Sequence, residues 1–431
     1  MILRRVVVTG MGALTPIGNT LSEYKEGLFS GTSGAGPITR FDATKFKTRF
    51  ACEVKGLDMS QFIPRQEARK MDLYTQFAVV AAAEAIRDAG LDEYLKPIDF
   101  EKGIPTDLPV NLHRVGCIWG GGIGGLKTFE EEIISFAKGD GTPRINPFFI
   151  PKMIADSASG ILSIRHGLLG PSYVTVSACA SSNNSLIDAF NYIRLGKIDI
   201  CVSGGSEAAI TQAGVGGFNA LKAMSERNDD PSTASRPYDK DRDGFVLGEG
   251  GACLILEEYE HAIARGAKIY AEILGGGMSS DAYHITAPHP DGIGAYMCMK
   301  NALEDAEITP DQVDYINTHG TSTPIGDPQE IKAIERLFGE HAYNINISST
   351  KSMVGHLLGG AGAVEAVASI LAIQEQKIPP TINHVTDDPD INPRLNLTFN
   401  EAQSRKVNIA ISNTFGFGGH NTCVVFRKFE G

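Results

Sequence analysis

Long apolar runs, paired cysteines and an excess of positive charge are all missing from this 431-residue chain. Lacking an uncharged apolar stretch of about 18 residues, it holds no candidate for a membrane-spanning helix. Its net charge of −12 argues against non-specific nucleic-acid binding, which needs basic surface to displace counterions. An acidic partner would have to dock on a local basic patch. The seven cysteines, at 52, 117, 179, 201, 253, 298 and 423, are odd in number and scattered, with no C-x-x-C pair for zinc or redox chemistry. They suit a reducing compartment. Met1-Ile-Leu-Arg-Arg-Val-Val-Val-Thr-Gly10 runs straight into a strand-like segment without a cleavage site, so a cytoplasmic protein is expected. His284 and His289 share a Pro-containing loop and His113, His166, His261, His341 and His384 stand apart, so no metal is expected. Gly10-Met-Gly12-Ala-Leu-Thr-Pro-Ile-Gly18 lacks the third glycine of a dinucleotide fingerprint at its proper place. What remains is a soluble globular composition, 42% hydrophobic and 21% charged, with material for two or three units of ordinary size.

The most informative stretch runs from Ser172 to Ser185. Tyr173 to Ser177 reads as a buried strand, and Leu186, Ala189, Phe190 and Ile193 then recur at i, i+3, i+4, i+7, one face of a helix ending at Gly196. Cys179 falls at the turn, within the small-residue run Ser177-Ala-Cys179-Ala-Ser-Ser182, which suggests an exposed elbow. The free N–H groups and macrodipole of a helix start bias a thiol there toward thiolate. Two readings stand for Cys179: a nucleophile, or one of the small thiols common in cores.

Elsewhere the pattern alternates. Arg4 to Thr9, Val115 to Trp119, Ile198 to Ser203 and Ala252 to Leu256 read as strands, and Asp72 to Gly90 as an Ala-rich helix with Leu73, Phe77, Val80 and Ala81 on one face. Pro37 to Pro64 is loop-like, Gly120 to Gly125 is a flexible run, and Asn219 to Gly248, charged and aperiodic, reads as a long surface segment. After Lys268 the order begins again. Arg4 to Gly12 corresponds to Ile269 to Gly277, Val115 to Gly120 to Val313 to Thr318, and the Cys179 strand to Asn344 to Ser349. Val364, Val367, Ala368 and Leu371 then repeat the helical spacing. Two similar α/β halves are expected, each a mainly parallel sheet covered on both faces, with a site between them at the strand C-termini.

Superposed by that repeat, three loops converge on Cys179: Asn317-Thr-His319-Gly-Thr321-Ser-Thr323, Ser349-Thr-Lys351-Ser-Met-Val-Gly-His356, and the glycine loop Asn413-Thr-Phe415-Gly-Phe417-Gly-Gly-His420. A single histidine in a glycine-rich loop is more often a structural hydrogen-bonder than a catalyst. Two, with a lysine and an elbow cysteine at equivalent strand ends, form a catalytic constellation. Thiolate attack on an acyl carbonyl needs N–H donors for the oxyanion, which glycine loops leave accessible, and two neutral imidazoles can stabilise an enolate.

Taken together these motifs closely resemble the β-ketoacyl-[acyl-carrier-protein] synthases of the elongating type, synthase II above all. The resemblance covers essentially the whole chain and includes Arg236-Pro-Tyr-Asp-Lys-Asp-Arg-Asp-Gly-Phe245 and Ser279-Ser-Asp-Ala-Tyr-His284. It implies an α/β thiolase-like fold of five layers, αβαβα, built from halves at 1–265 and 266–431, and a homodimer. It implies that Cys179 accepts the acyl group, with the N–H groups of Cys179 and Phe417 as oxyanion hole and Phe417 as a gate. His319 and His356 would assist decarboxylation of a malonyl thioester, and Lys351 would hold His356 and tune the local field. The implied substrate-binding set is Thr321, Thr323, Ile123, Phe415 and Glu365. Of these, Thr321 and Thr323 would meet the 4'-phosphopantetheine arm, Ile123 the acyl pocket, and Glu365 would be the buried acidic companion of Lys351. No free cofactor is implied, because the substrate rides on acyl carrier protein, for which Arg65, Arg69, Lys70, Arg144 and Arg227 are the docking candidates. Ala180 stands where this family usually has Thr, and His420 where bacterial synthase II has Thr; both bear on chain-length preference rather than chemistry. A polyketide ketosynthase of the same chemistry, a coenzyme A-dependent thiolase and a non-catalytic partner subunit are the alternatives.

Overall fold

The computed structural model describes residues 3–431. Ten strands form one continuous sheet: β1 (Val6–Leu14), β2 (Val115–Gly120), β3 (Ser172–Thr175), β4 (Ile200–Glu207), β5 (Gly250–Glu258), β6 (Ala271–Ser280), β7 (Tyr315–Asn317), β8 (Asn346–Ser348), β9 (Ile409–Gly416) and β10 (His420–Lys428). Their order, β8-β7-β9-β10-β6-β1-β5-β4-β2-β3, is the same five-strand arrangement twice, mirrored about the junction of β1 and β6. That junction is a short antiparallel pairing, Val6 with Ile273 and Val8 with Ala271.

Helices make the other three layers: α1 (Leu73–Asp88), α2 (Leu126–Lys138), α3 (Ser181–Arg194), α4 (Ile293–Asp305), α5 (Gly326–Phe338) and α6 (Ala361–Glu375). Packed against each other between the half-sheets are α3 and α6, while α1 covers the outer face of the first half and α4 that of the second. The middle layer explains the composition of α6, apolar almost all round apart from Glu365 and Ser369 and buried from Ala361 to Ile373, since only a helix without a solvent face suits that position. Asp72 begins α1 by accepting the N–H of Tyr74, and its other oxygen accepts the N–H and hydroxyl of Thr128, tying α1 to α2. Among the described residues no helix is long and apolar enough to cross a membrane.

Three expectations change. Neither half is mainly parallel. In each, two junctions are parallel (β3/β2 and β2/β4; β8/β7 and β7/β9) and two are antiparallel (β4/β5 and β5/β1; β9/β10 and β10/β6). In the second half a hairpin through Phe417 to Gly419 joins β9 to β10, a connection only antiparallel strands allow. The Cys179 strand, β3, is an edge strand and only partly buried; next to it Val176 is 62% exposed. Finally, the segment 219–248 is only in part a surface segment: Ser225, Ala234, Tyr238, Asp239, Arg242 and Val246 are all buried, whereas Lys222, Asp229 and Asp241 stay exposed. Ser235, Tyr238 and Arg242 find hydrogen-bond partners there, so these stretches need no apolar periodicity to lie inside.

The glycines of β1 are packing devices. A Cβ on Gly12 would stand 2.2 Å from the carbonyl oxygen of Ala81 in α1, and one on its counterpart Gly277 would stand 2.0 Å from that of Cys298 in α4. Both contacts are with helix backbone, which cannot swing aside. Gly277→Ala should therefore cost about 1–3 kcal/mol or more, seen as a lower urea midpoint; an unchanged midpoint would mean the helix can back away.

Candidate active site

The elbow after β3 carries its strain at Ala178, a non-glycine residue at φ +52°. Ser181 at the start of α3 braces it, its hydroxyl donating to the carbonyl of Ala178 (2.6 Å) and accepting the N–H of Ser177 (3.0 Å). The turn is thereby locked, and Cys179 is presented ahead of the helix start. It is not an exposed elbow, however. Cys179 is only 8% exposed and sits on the wall of a cavity of about 590 Å³.

That burial also overrides the helix-start argument. It pushes the Cys179 thiol up to about 12, against the opposing pull of the Lys351 charge and the Phe417 N–H. The second half brings both histidines to the same place. His356 puts Nε2 3.1 Å from Cys179 Sγ, and the ring of His319 lies edge-on to that of His356, centroids 5.2 Å apart. Burial, reinforced by Lys351, holds both imidazoles well below their ordinary range, so both are neutral at pH 7. The N–H of Leu358 donates to His356 Nδ1 (3.3 Å), which assigns the proton to Nε2. The second histidine therefore points a donor at the sulfur. The ligand atoms of Cys179, His319 and His356 also lie within 4.8 Å of one another, close enough to hold a metal ion, a grouping that scattered sequence positions do not reveal.

Around this triad the expected residues divide. Ile123, Thr321, Thr323, Phe415 and Phe417 line the cavity, with Phe415 5.7 Å from His319 ring to ring and the two threonine hydroxyls 3.1 Å apart. Glu365 does not line it: with Lys351 it forms an ion pair behind the wall, both side chains 1% exposed. Lys351 makes no hydrogen bond to His356 and acts on it through its charge. Of the basic candidates, Arg65, Arg69 and Lys70 are exposed, with Lys70 over the ring of Phe148; Arg144 pairs with Asp140. Arg227 is half-buried and donates to the carbonyl of Asp241.

Residues that sequence reasoning passed over hold the loops still. Glu330 accepts the backbone N–H groups of His319 (2.9 Å) and Gly320 (2.8 Å), fixing the first histidine loop. Glu207 does the same for Gly122, Ile123, Gly124 and Gly359, so the run 120–125 is anchored rather than flexible. Burial lifts both carboxyls to about 7 despite these donors. Phe245, from the interior segment, packs edge-on against His356 at 5.4 Å.

Two like halves set face to face, one bringing a thiol and the other both imidazoles to a common cavity, is the architecture of the thiolase-like class. Models of the β-ketoacyl synthase N-terminal and C-terminal domains match residues 3–262 and 270–385. The chain is 51% identical over 429 residues to a 3-oxoacyl-[acyl-carrier-protein] synthase 2 of Synechocystis sp. and 47% identical over 428 residues to one of Coxiella burnetii, each match covering 99% of both chains. A β-ketoacyl synthase structure from Burkholderia phymatum aligns at 35% identity and TM-score 0.88, over 99% of this chain and 100% of that one. A type II polyketide ketosynthase solved with its acyl-carrier protein aligns at 32% identity and TM-score 0.87, with the same coverage. The chain belongs to the β-ketoacyl synthase family.

Proposed function

We propose that the protein elongates fatty acids by decarboxylative Claisen condensation, joining an acyl group held on Cys179 to malonyl-[acyl-carrier-protein] to give the 3-oxoacyl carrier. The observation that carries this reading is the neutral His356 with its Nε2 3.1 Å from Cys179 Sγ and His319 beside it. In the first half-reaction Cys179 sulfur attacks the acyl thioester, its proton leaves with the pantetheine thiol, and the N–H groups of Cys179 and Phe417 hold the oxyanion. In the second, carbon dioxide departs from the malonyl group and leaves its electron pair as an enolate, which the two imidazole N–H groups stabilise. The carbanion attacks the acyl-Cys179 carbonyl and expels the thiolate. Because decarboxylation generates the nucleophile, no strong general base is needed. In this reading residues 1–265 supply the nucleophile and 266–431 both histidines.

The test is sequential loading. Incubated with acyl carriers of several lengths, the protein should gain one acyl mass on Cys179, and malonyl carrier should clear it with release of carbon dioxide. Loading from coenzyme A thioesters and turnover without malonate would point to a thiolase. Repeated condensation on one chain would point to a polyketide ketosynthase; the 46–51% identity to synthase 2 proteins, above that to polyketide ketosynthases, favours fatty acids.

Two partners belong to the same proposal. Acyl carrier protein would be gripped by Arg65, Arg69, Lys70, Arg144 and Arg227, transiently and with strong salt sensitivity, since both proteins are acidic. A second copy of the chain would cover the apolar surface formed by Phe129, Ile133 and Phe136 on α2 together with Ile150, Ile154 and Val176, each 39–62% exposed. Continuity with the open edge of β3 supports a dimer that extends the sheet. Sedimentation should give a dimer mass, and Val176→Lys should shift it to the monomer; a monomeric wild-type protein would remove this part of the reading.

A further inference from the structure

Ser322, between the two cavity-lining threonines, is held at φ +67°, a left-handed conformation that a serine does not adopt unaided. The force that keeps it there comes from the interior segment 236–245. Gly244 donates its N–H to the Ser322 carbonyl (3.0 Å) and Arg236 its N–H to the Ser322 hydroxyl (3.0 Å). Arg242 completes the grip. Its side chain is 4% exposed, Nε donates to the carbonyl of Thr323 (3.0 Å), Nη2 to that of Pro324 (3.4 Å), and Nη1 to Asp239 O and Asp388. Asp327, 3.5 Å from Nε, balances the charge and in turn accepts the Thr323 and Tyr238 N–H groups. A planar guanidinium thus reaches two successive carbonyls and two flanking aspartates at once, which the single point charge of a lysine cannot do.

We propose that Arg242 is the positioning residue of the phosphopantetheine subsite: by fixing the Thr323 and Pro324 carbonyls it keeps the strained Thr321-Ser322-Thr323 turn in the one shape that presents both hydroxyls to the cavity. The inference rests on the reading that those hydroxyls meet the pantetheine arm. Arg242 touches no reacting atom, and the cysteine and both histidines are held by other contacts, those of Ser181, Glu330 and Leu358. Its loss should therefore weaken recognition of the arm and spare the chemistry.

The experiment compares acylation of Cys179 by acyl carrier, by acyl-pantetheine and by the truncated N-acetylcysteamine thioester, in wild type, Arg242→Lys and Ser322→Gly. In Arg242→Lys, KM for the carrier and pantetheine thioesters should rise about tenfold, the equivalent of one good hydrogen bond to a charged group. Maximal rate, kcat/KM for the truncated thioester and alkylation of Cys179 by iodoacetamide should stay within about twofold. Ser322→Gly frees the turn and costs only the buried hydrogen bond from the Arg236 N–H, so it should raise the same KM with at most a modest fall in melting temperature, which keeps the test valid if Arg242→Lys folds poorly. Equal losses on long and truncated thioesters, or an unmoved KM in Ser322→Gly, would overturn the positioning role. Thr321→Val/Thr323→Val is the separate check on the underlying reading: if it does not discriminate pantetheine from the truncated thioester, the arm contact itself is wrong.

Discussion

Cys179→Ser should form no acyl adduct and should lose condensation by on the order of 10⁴-fold or more, although the change is a single atom and leaves the elbow intact. A hydroxyl attacks a thioester only when a base removes its proton. His356 is not that base: its Nδ1 already accepts the Leu358 N–H, so Nε2 carries the hydrogen and faces position 179 as a donor. The proposed role of that donor appears in the complementary variant. His356→Ala should still load Cys179 but should release carbon dioxide from malonyl carrier about 10²–10⁴-fold more slowly. Intact mass after acyl carrier alone, and trapped labelled carbon dioxide after malonyl carrier, read the two steps separately. An adduct on Cys179→Ser, or normal condensation by His356→Ala, would each remove the named residue from the mechanism.

How much of this was legible beforehand depended on whether a property was local. The repeat aligned Arg4 to Gly12 with Ile269 to Gly277 because both sequences must make a strand whose glycines admit a helix backbone, and β1 and β6 do sit at equivalent places. Cys179, His319 and His356 were expected together because their loops follow neighbouring strands that correspond between the halves, and the structure does bring the three side chains to one cavity. The character of the thiol was not found, because a helix start is visible in ten residues whereas burial beneath two loops of the other half is not. Edge position has the same cause: β3 reads as a buried strand by its β-branched residues, while its exposure depends on which strands pair with it. Glu330 and Glu207 escaped for a different reason. A carboxylate that enters the interior to collect N–H groups from glycine loops leaves no spacing pattern behind. The segment 219–248 shows this on a larger scale, its polar residues bonded inward to the turn at Ser322 and Thr323.

Lys351→Met should be the most destabilising single substitution near the site, costing about 3–5 kcal/mol, because it strands Glu365 in the interior with one oxygen, Oε2, already unpartnered. The penalty should depend on pH with a definite sign. Burial raises the Glu365 carboxyl to about 7 even though Lys351 pulls it down. A carboxyl raised on folding contributes stability that is whole below its unfolded value and lost as pH climbs through the folded value. Removing Lys351 lifts the folded value further, so that loss extends to higher pH in the variant, and the gap in melting temperature from wild type should hold steady from pH 5 and widen as pH climbs through about 7 toward 8. A gap of constant size would mean that packing, not charge, is what the lysine provides. Lys351→Met/Glu365→Leu then separates structure from chemistry: replacing the whole pair by apolar side chains should restore most of the stability, yet acyl loading should stay slow, since no cation then acts against the burial of the Cys179 thiol. Recovery of loading along with stability would show that Cys179 does not need the ammonium, and that the pair serves the fold of the α6 layer alone.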